Sequence, residues 1–113
     1  MRDLSPAEIK AGMADGKIML IDVREPHEFS ESRIAGAFNF PLSTFDPLAL
    51  PVSGDRQIVF HCGTGKRSGM ALDQCQQEGV AVTSHMAGGI QAWRKDGLKV
   101  IAVDPSTGQL KEI

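Results

Sequence analysis

The chain has 113 residues, of which 42% are hydrophobic and 23% charged, and its formal net charge is −2. This length accommodates one core, and the composition excludes a disordered protein. A nearly neutral chain without a long Lys/Arg run lacks the basic face of a nucleic-acid binder, and no strictly apolar run exceeds four residues. We therefore expect a single domain over residues 1–113, with neither nucleic acid nor a membrane as a partner.

The N-terminus and the two cysteines indicate the compartment. Residues 1–6 offer no apolar core of the length that a signal peptide needs, so a cytoplasmic protein is predicted. Two cysteines do not form a disulfide framework, and a reducing compartment keeps both as thiols. Cys75 shares a predicted helix face with Ala71, which favours a core position over a role as a resolving cysteine.

The first segments predict a short helix and a buried strand. Ser5 can cap a helix that begins at Pro6, Glu8 completes a capping box, and the helix should end near Asp15. The apolar run that follows is continuous instead of alternating, which predicts a buried strand over residues 17–23.

Shorter elements are expected in the next part. Pro26 can begin a second helix through Phe29, and a brief strand is predicted near Phe38. Residues 42–55 lack periodicity and are predicted to be loop, with one helical turn around Pro47 to Leu50.

The second half alternates between strands and helices. Strands are predicted over residues 57–61 and 80–86, and helices over residues 68–78 and 90–96. Residues 98–113 suit either a small hairpin, with residues 100–103 as one arm and Leu110 on the other, or a frayed tail.

This alternation predicts an α/β fold with a central, mainly parallel β-sheet and helices on both faces. In such sheets functional groups gather at the carboxyl ends of the strands. Asp22, Cys62 and Gly88 fall at or just beyond predicted strand ends, so we expect them on one rim of the sheet.

The segment Cys62-Gly63-Thr64-Gly65-Lys66-Arg67-Ser68 carries the chemistry. The thiolate is the nucleophilic form of cysteine, and a free thiol with a pKa of about 8.5 is mostly protonated at neutral pH. Stabilisation of the anion can come from the following helix N-terminus, from the two cations and from loop amides that the glycines allow to turn inward. A packing cysteine beside an ordinary turn is the alternative, but inert cysteines lie in apolar surroundings.

Five segments, in order, resemble single-domain rhodanese-like proteins from about Leu4 to Gly97. They are Asp22-Val23-Arg24, Glu28-Phe29, Ile34-Ala35-Gly36-Ala37-Phe38-Asn39-Phe40-Pro41, the Cys62 to Ser68 loop, and Gly88-Gly89-Ile90-Gln91-Ala92-Trp93. Ser32-Arg33 departs from the Gly-His that many relatives have before Ile34, with little expected effect on the chemistry. The resemblance gives no guide beyond Gly97.

The resemblance implies a rhodanese-like fold and a thiosulfate sulfurtransferase that carries the transferred sulfur as a persulfide on Cys62. The amides of Gly63 through Ser68 would hold the negative charge, and Lys66 would attract an anionic sulfur donor. The acceptor would be a small thiol or a thioredoxin-like dithiol protein. We expect no cofactor, no metal site and a monomer.

Several side chains near the loop have two interpretations. Arg67 either faces the anion or pairs with Asp22 or Glu25, and the ion pair is favoured. Asp22 and Arg24 are candidates for loop support or are ordinary polar residues at a strand end.

The histidines and the tryptophan are assigned structural positions. His61 is expected to be buried and bonded to backbone rather than to act as a base, because adjacent strand residues point to opposite faces. His27 and His85 are expected at the surface, and Trp93 is expected in the core.

Two other functions remain open. The fold also resembles that of the cell-cycle dual-specificity phosphatases, but their loop has five residues between Cys and Arg and this one has four between Cys62 and Arg67. A phosphatase or arsenate-reducing relative is therefore disfavoured. A non-enzymatic module that carries a persulfide for a partner enzyme is the second alternative.

Overall fold

The computed structural model describes all 113 residues as a five-stranded sheet with helices on both faces and a small second sheet. The strands are β1 (Arg2–Asp3), β2 (Ile18–Asp22), β3 (Ser32–Arg33), β4 (Phe38–Asn39), β5 (Gln57–His61), β6 (Ser84–His85), β7 (Ile101–Val103) and β8 (Leu110–Glu112). The helices are α1 (Pro6–Ala14), α2 (Pro26–Glu31), α3 (Lys66–Gln77) and α4 (Gly89–Lys95), and single 3-10 turns cover Leu42–Thr44 and Pro47–Ala49.

The central sheet has the strand order β1-β6-β5-β2-β4, and every pair in it is parallel. The longest pairing joins β2 and β5 over five residue pairs, from Ile18 opposite Gln57 to Asp22 opposite His61. The carboxyl ends of these two strands are therefore level, which confirms the predicted parallel sheet and brings Asp22 beside the residue that precedes Cys62.

Side chains along β2 and β5 point alternately to the two faces of the central sheet, so the core has two parts. Ile21 and Phe60 pack with Ala71, Leu72 and Cys75 of α3 on one face. On the other face Leu20 and Val59 pack with Ile9 of α1 and Trp93 of α4. Successive strand residues point to opposite faces, so a strand buried on both sides reads as a continuous apolar run. The predicted core positions of Cys75 and Trp93 are confirmed.

Most predicted elements are confirmed, with small shifts of their ends. Ser5 caps α1 and forms the capping box with Glu8. Helix α2 extends two residues beyond Phe29, and α3 begins at Lys66, two residues before the predicted start. The earlier start places Arg67 and Ser68 in the first turn of the helix, directly after the cysteine loop.

The strand predicted over residues 80–86 is wrong for most of its length. Only Ser84 and His85 form β6, while the Val80 N–H donates to the Cys75 carbonyl and the Val82 N–H donates to the Val80 carbonyl. The first of these bonds ends α3, and both use amides that a strand would need. Strand β1 and the 3-10 turn at residues 42–44 were not predicted.

The C-terminal residues form a hairpin instead of a frayed tail. Strands β7 and β8 pair antiparallel, and β3 adds to β7, which gives the second sheet the order β3-β7-β8. The sequence predicted the hairpin as one of two alternatives but not its pairing with Ser32 and Arg33. None of the helices is long and apolar enough to cross a membrane.

Removing bulk from the centre of the sheet should lower the free energy of unfolding. Ile21 is 0% exposed and Leu48 is 71% exposed. We expect Ile21→Ala to cost about 2–5 kcal/mol because it leaves a cavity, whereas Leu48→Ala should cost less than about 0.5 kcal/mol. Urea unfolding monitored by circular dichroism measures both, and equal losses would contradict the described core.

Candidate active site

Cys62 lies immediately after β5, and its sulfur is surrounded by donors from the loop and from the start of α3. The Gly65 N–H donates to Sγ at 3.1 Å and the Ser68 N–H donates at 3.4 Å. The Ser68 hydroxyl oxygen lies 3.7 Å from Sγ. Ser68 is the third residue of α3, where backbone N–H groups have no partner within the helix. The sulfur therefore occupies the position that an anion takes at a helix N-terminus.

The donors lower the pKa of the Cys62 thiol. Burial alone raises this pKa, but hydrogen bonds from the Ser68 N–H, the Ser68 hydroxyl and the amides of Gly65 and Thr64 outweigh it. The net pKa lies below its ordinary value, so a larger fraction of Cys62 is thiolate at neutral pH. Cys75, which has no such donors, has a raised pKa because it is buried.

Two glycines allow the chain to come close enough to enclose the sulfur. Gly65 has φ of +104°, and a Cβ there would overlap the Ala87 carbonyl. Gly89 has φ of +61°, and a Cβ there would overlap the carbonyl oxygens of Cys62 and Gly63. These torsions are unfavourable for residues with a side chain, so glycine is required at both positions. Gly65 belongs to the loop itself, and Gly89 begins α4 beneath it.

Helix α4 fixes the loop from the carbonyl side. The Ile90 N–H donates to the Cys62 carbonyl at 2.8 Å, and the Gln91 N–H donates to the Gly63 carbonyl at 3.3 Å. Because these two carbonyls bond to α4 and point away from the sulfur, the N–H groups of the loop residues that follow them face Sγ. The loop is thus held between the N-terminal ends of two helices, α3 and α4.

Arg67 forms an ion pair, but its partner differs from the predicted one. Its Nη1 and Nη2 donate to Oε1 and Oε2 of Glu28 at 2.6 and 2.9 Å, whereas Asp22 or Glu25 was expected as the partner. The hydrogen bond from Arg67 lowers the pKa of Glu28 to about 2. A planar guanidinium matches both carboxylate oxygens, so this pair links α2 to the first turn of α3.

Asp22 and Arg24 pair with each other in a buried position beside the strand that carries the loop. Arg24 Nη2 donates to Asp22 Oδ2 at 2.8 Å and to the Ser32 carbonyl at 2.7 Å. His61 is fully buried, as expected, and its Nδ1 lies 3.2 Å from the Cys62 carbonyl. Its Nε2 has no hydrogen-bond partner and lies 3.5 Å from Asp22 Oδ2. The contacts of the pair run to the strand end and to β3 rather than to the loop amides.

His85 is buried, which corrects the expected surface position. It is 6% exposed, and its Nδ1 lies 2.8 Å from the Ser68 hydroxyl oxygen. The wrong prediction followed from the polarity of the side chain, because the local sequence does not show that β6 lies between β1 and β5. No spacing in the sequence connects His85 to Ser68, or Glu28 to Arg67.

The remaining loop side chains are directed outward. Lys66 and Thr64 are exposed, and Lys66 forms no ion pair. His27 is also exposed, as predicted. The chemistry available at the site is therefore that of one buried sulfur among amide and hydroxyl donors, with one free cation at its rim.

Adding a methyl group at Gly89 should disturb the loop. We expect Gly89→Ala to lower the free energy of unfolding by more than about 1 kcal/mol because the left-handed torsion and the overlap with two carbonyls both oppose it. Gly69→Ala is the matched control, since it lies within α3 with open space around it and should stabilise the protein by about 0.5–1 kcal/mol. Urea unfolding measures both, and a neutral Gly89→Ala would contradict the close approach.

The Glu28–Arg67 pair should make stability depend on acid pH. The folded pKa of Glu28, about 2, lies below its ordinary value, so the stabilisation is present above the ordinary pKa and is lost as pH falls towards 2. We expect Glu28→Gln to flatten the decline of unfolding free energy between about pH 4.5 and pH 2, by a modest amount because the pair is partly exposed. Urea unfolding across this range measures the slope, and identical slopes would count against the pair.

Comparison with known proteins identifies a family that matches most of the chain. A family described as "Rhodanese-like domain" matches residues 5–96. An uncharacterized protein of Synechocystis sp. is 35% identical over 98 residues, covering 87% of this chain and 55% of its own length, so the chain spans about half of that relative. A protein named sulfurtransferase from Allochromatium vinosum is 27% identical, with 90% of this chain and 96% of that protein covered.

Two further comparisons agree with these. A protein of Saccharomyces cerevisiae named thiosulfate:glutathione sulfurtransferase is 32% identical, with 76% of this chain and 71% of that protein covered. The crystal structure of a rhodanese-related protein from Thermoplasma volcanium has a TM-score of 0.74 at 28% identity, covering 88% of this chain and 97% of that one. With the family matched over residues 5–96 and a rhodanese-related structure sharing the fold, this chain belongs to the rhodanese-like domain family, whose members include sulfurtransferases.

Proposed function

We propose that the protein transfers a sulfane sulfur from thiosulfate, or from a related anionic donor, to a thiol acceptor through a persulfide on Cys62. The Cys62 thiolate attacks the outer sulfur of thiosulfate. A new sulfur–sulfur bond forms, the bond to the inner sulfur breaks, and its electron pair leaves on sulfite. An acceptor thiolate then attacks the outer sulfur of the persulfide. The bond between that sulfur and Cys62 Sγ breaks, and its electron pair stays on Sγ, which becomes a thiolate again.

The observation that carries the proposal is the set of donors directed at one sulfur atom. The amides of Gly65 and Ser68 donate to Sγ, and the Ser68 hydroxyl lies beside it. A persulfide bears its negative charge one atom further out, and preorganised donors stabilise that charge without rearranging during the reaction. The exposed Lys66 supplies positive charge at the rim, where an anionic donor would approach.

Access to the nucleophile favours a substrate whose reactive atom lies at its end. Cys62 is only 1% exposed, so the approach to Sγ is narrow. The sulfane sulfur of thiosulfate is terminal and small. The name of the yeast relative, thiosulfate:glutathione sulfurtransferase, supports thiosulfate as donor and a thiol as acceptor. A small thiol or an exposed dithiol of a thioredoxin-like protein would then meet the same entrance.

The state of Arg67 argues against phosphate as the substrate. A phosphatase needs its loop arginine to bind the phosphate oxygens. In this protein Nη1 and Nη2 of Arg67 both donate to Glu28 instead. The loop is also one residue shorter than the phosphatase signature. We therefore propose sulfur chemistry in a reducing, cytoplasmic setting, where both cysteines remain the free thiols of this structure.

Intact-mass spectrometry tests the proposal directly. After incubation with thiosulfate, the wild type should gain the mass of one sulfur atom, because Cys62 retains the transferred sulfur. Cys75→Ser is the matched control and should gain the same mass, since Cys75 is buried and has a raised pKa. Cys62→Ser should gain none, and a wild type that gains no sulfur from thiosulfate or other sulfane donors would contradict the proposal.

A rate measurement separates an enzyme from a carrier module. An enzyme should release sulfite repeatedly when glutathione is supplied, in amounts exceeding the protein concentration. One equivalent of sulfite without turnover would instead identify a module that holds a persulfide for a partner. Hydrolysis of an aryl phosphate that depends on Cys62 would indicate the phosphatase alternative.

A further inference from the structure

Ser68 is shared between the nucleophile and a buried histidine. Its hydroxyl oxygen lies 3.7 Å from Cys62 Sγ, 2.8 Å from His85 Nδ1 and 3.1 Å from the Gly65 carbonyl oxygen. Cys62, Ser68 and His85 are all buried, at 1%, 0% and 6% exposure. A hydroxyl has one proton and two lone pairs, so its orientation depends on which neighbours donate and which accept.

We propose that His85 accepts the proton of the Cys62 thiol through the hydroxyl group of Ser68 and thereby sets the thiolate fraction of the nucleophile. His85 does not touch the sulfur, so it is a positioning residue that acts through Ser68. The inference rests on the proposed function only in taking Cys62 as the nucleophile, and it adds the group that receives its proton.

The proton transfer balances within these three side chains. The S–H bond of Cys62 breaks and leaves its electron pair on sulfur, Ser68 Oγ takes that proton, and the original Ser68 proton moves to His85 Nδ1. The products are a thiolate, an unchanged hydroxyl and an imidazolium. The imidazolium N–H then donates to Ser68, whose own proton is free to turn towards the sulfur anion or its persulfide. The net charge of the buried group does not change.

The groups around His85 act in opposite directions on its protonated form. Burial and the N-terminal amine lower its pKa, and the Asp3 carboxylate of β1 partly offsets them. This lowered pKa makes an isolated imidazolium at His85 unfavourable, so the proposed transfer depends on the negative charges that would face the ring. Asp3 lies opposite His85 in the register of β1 and β6, and its Oδ1 accepts a hydrogen bond from the Ala87 N–H at 2.8 Å. An imidazolium formed at His85 would thus have this carboxylate on one side and the Cys62 thiolate, through Ser68, on the other.

The first test is the pH profile of Cys62 alkylation by iodoacetamide in His85→Asn. The asparagine amide can still donate to Ser68 but cannot accept a proton. We expect alkylation about tenfold slower than wild type at pH 6.5 and equal to it at high pH, corresponding to a rise of about one unit in the Cys62 pKa. His27→Asn, the same change on an exposed histidine, should leave the profile unchanged. A His85→Asn profile that superimposes on wild type would overturn the proposal, because a purely structural role survives that substitution.

A double-mutant cycle tests the path through Ser68. Ser68→Ala should slow alkylation at pH 6.5 and remove the dependence on residue 85, so the double variant should be no slower than the slower single variant. Independent, additive losses would overturn the proposed path.

A reciprocal measurement leaves His85 intact and covers the case in which its variants do not fold. Linkage requires that the Cys62 thiolate raise the pKa of His85 if the imidazolium stabilises that thiolate. NMR titration of the His85 ring should therefore give a lower pKa in Cys62→Ala than in wild type, and equal values would overturn the proposal. None of these measurements uses a sulfur donor, so a protein that fails to form a persulfide can still confirm or refute the role of His85.

Discussion

The desolvated sulfur of Cys62 is the constraint on which the rest of the site depends. Burial opposes the thiolate, so the anion requires donors that are already in place. Here they are backbone amides, and amides can converge on one atom only if the chain turns sharply around it. That requirement accounts for the left-handed torsions of Gly65 and Gly89. It also accounts for the two helix N-termini and for the parallel strand that ends at His61. The site is therefore built mainly from backbone, and its side chains adjust it.

Those adjustments come from residues that are distant in the sequence. Glu28 is 39 residues from Arg67 and holds its guanidinium in a bidentate pair. His85 is 17 residues from Ser68 and fixes the environment of its hydroxyl. The contact with Glu28 determines whether the charge of Arg67 is available to a substrate. The contact with His85 affects the hydroxyl that lies beside the Cys62 thiol. Amide donors would stabilise many anions, so discrimination among anions depends on such side chains.

The parts of this architecture that follow local rules could be predicted from the sequence. The run Ile58-Val59-Phe60 is apolar, and the strand predicted over residues 57–61 forms β5 with those limits. Ser5, Pro6 and Glu8 gave the start of α1 because capping acts over three residues. The position of Cys62 at a strand end followed from the same reasoning.

One error arises from local bonds at the end of α3, and the other two arise from tertiary pairing. Val80 to Thr83 look like a strand, yet the Val80 N–H donates to the Cys75 carbonyl of α3 and the Val82 N–H donates to the Val80 carbonyl, and only Ser84 and His85 form β6. His85 is polar and therefore looked exposed, but β1 and β5 flank it on both sides. The partner of Arg67 was misassigned because Asp22, Glu25 and Glu28 are all acidic and near in sequence. Choosing among them requires the three-dimensional path of α2.

The second sheet connects the C-terminal hairpin to the centre of the molecule. Strand β7 pairs with β3, the Ser32 carbonyl of β3 accepts from Arg24, and Arg24 pairs with the buried Asp22 beside His61. The family match ends at residue 96, so the hairpin lies outside it. Displacing the hairpin would accordingly disturb β3 first, then the Arg24–Asp22 pair, and through it the end of β5 that precedes Cys62.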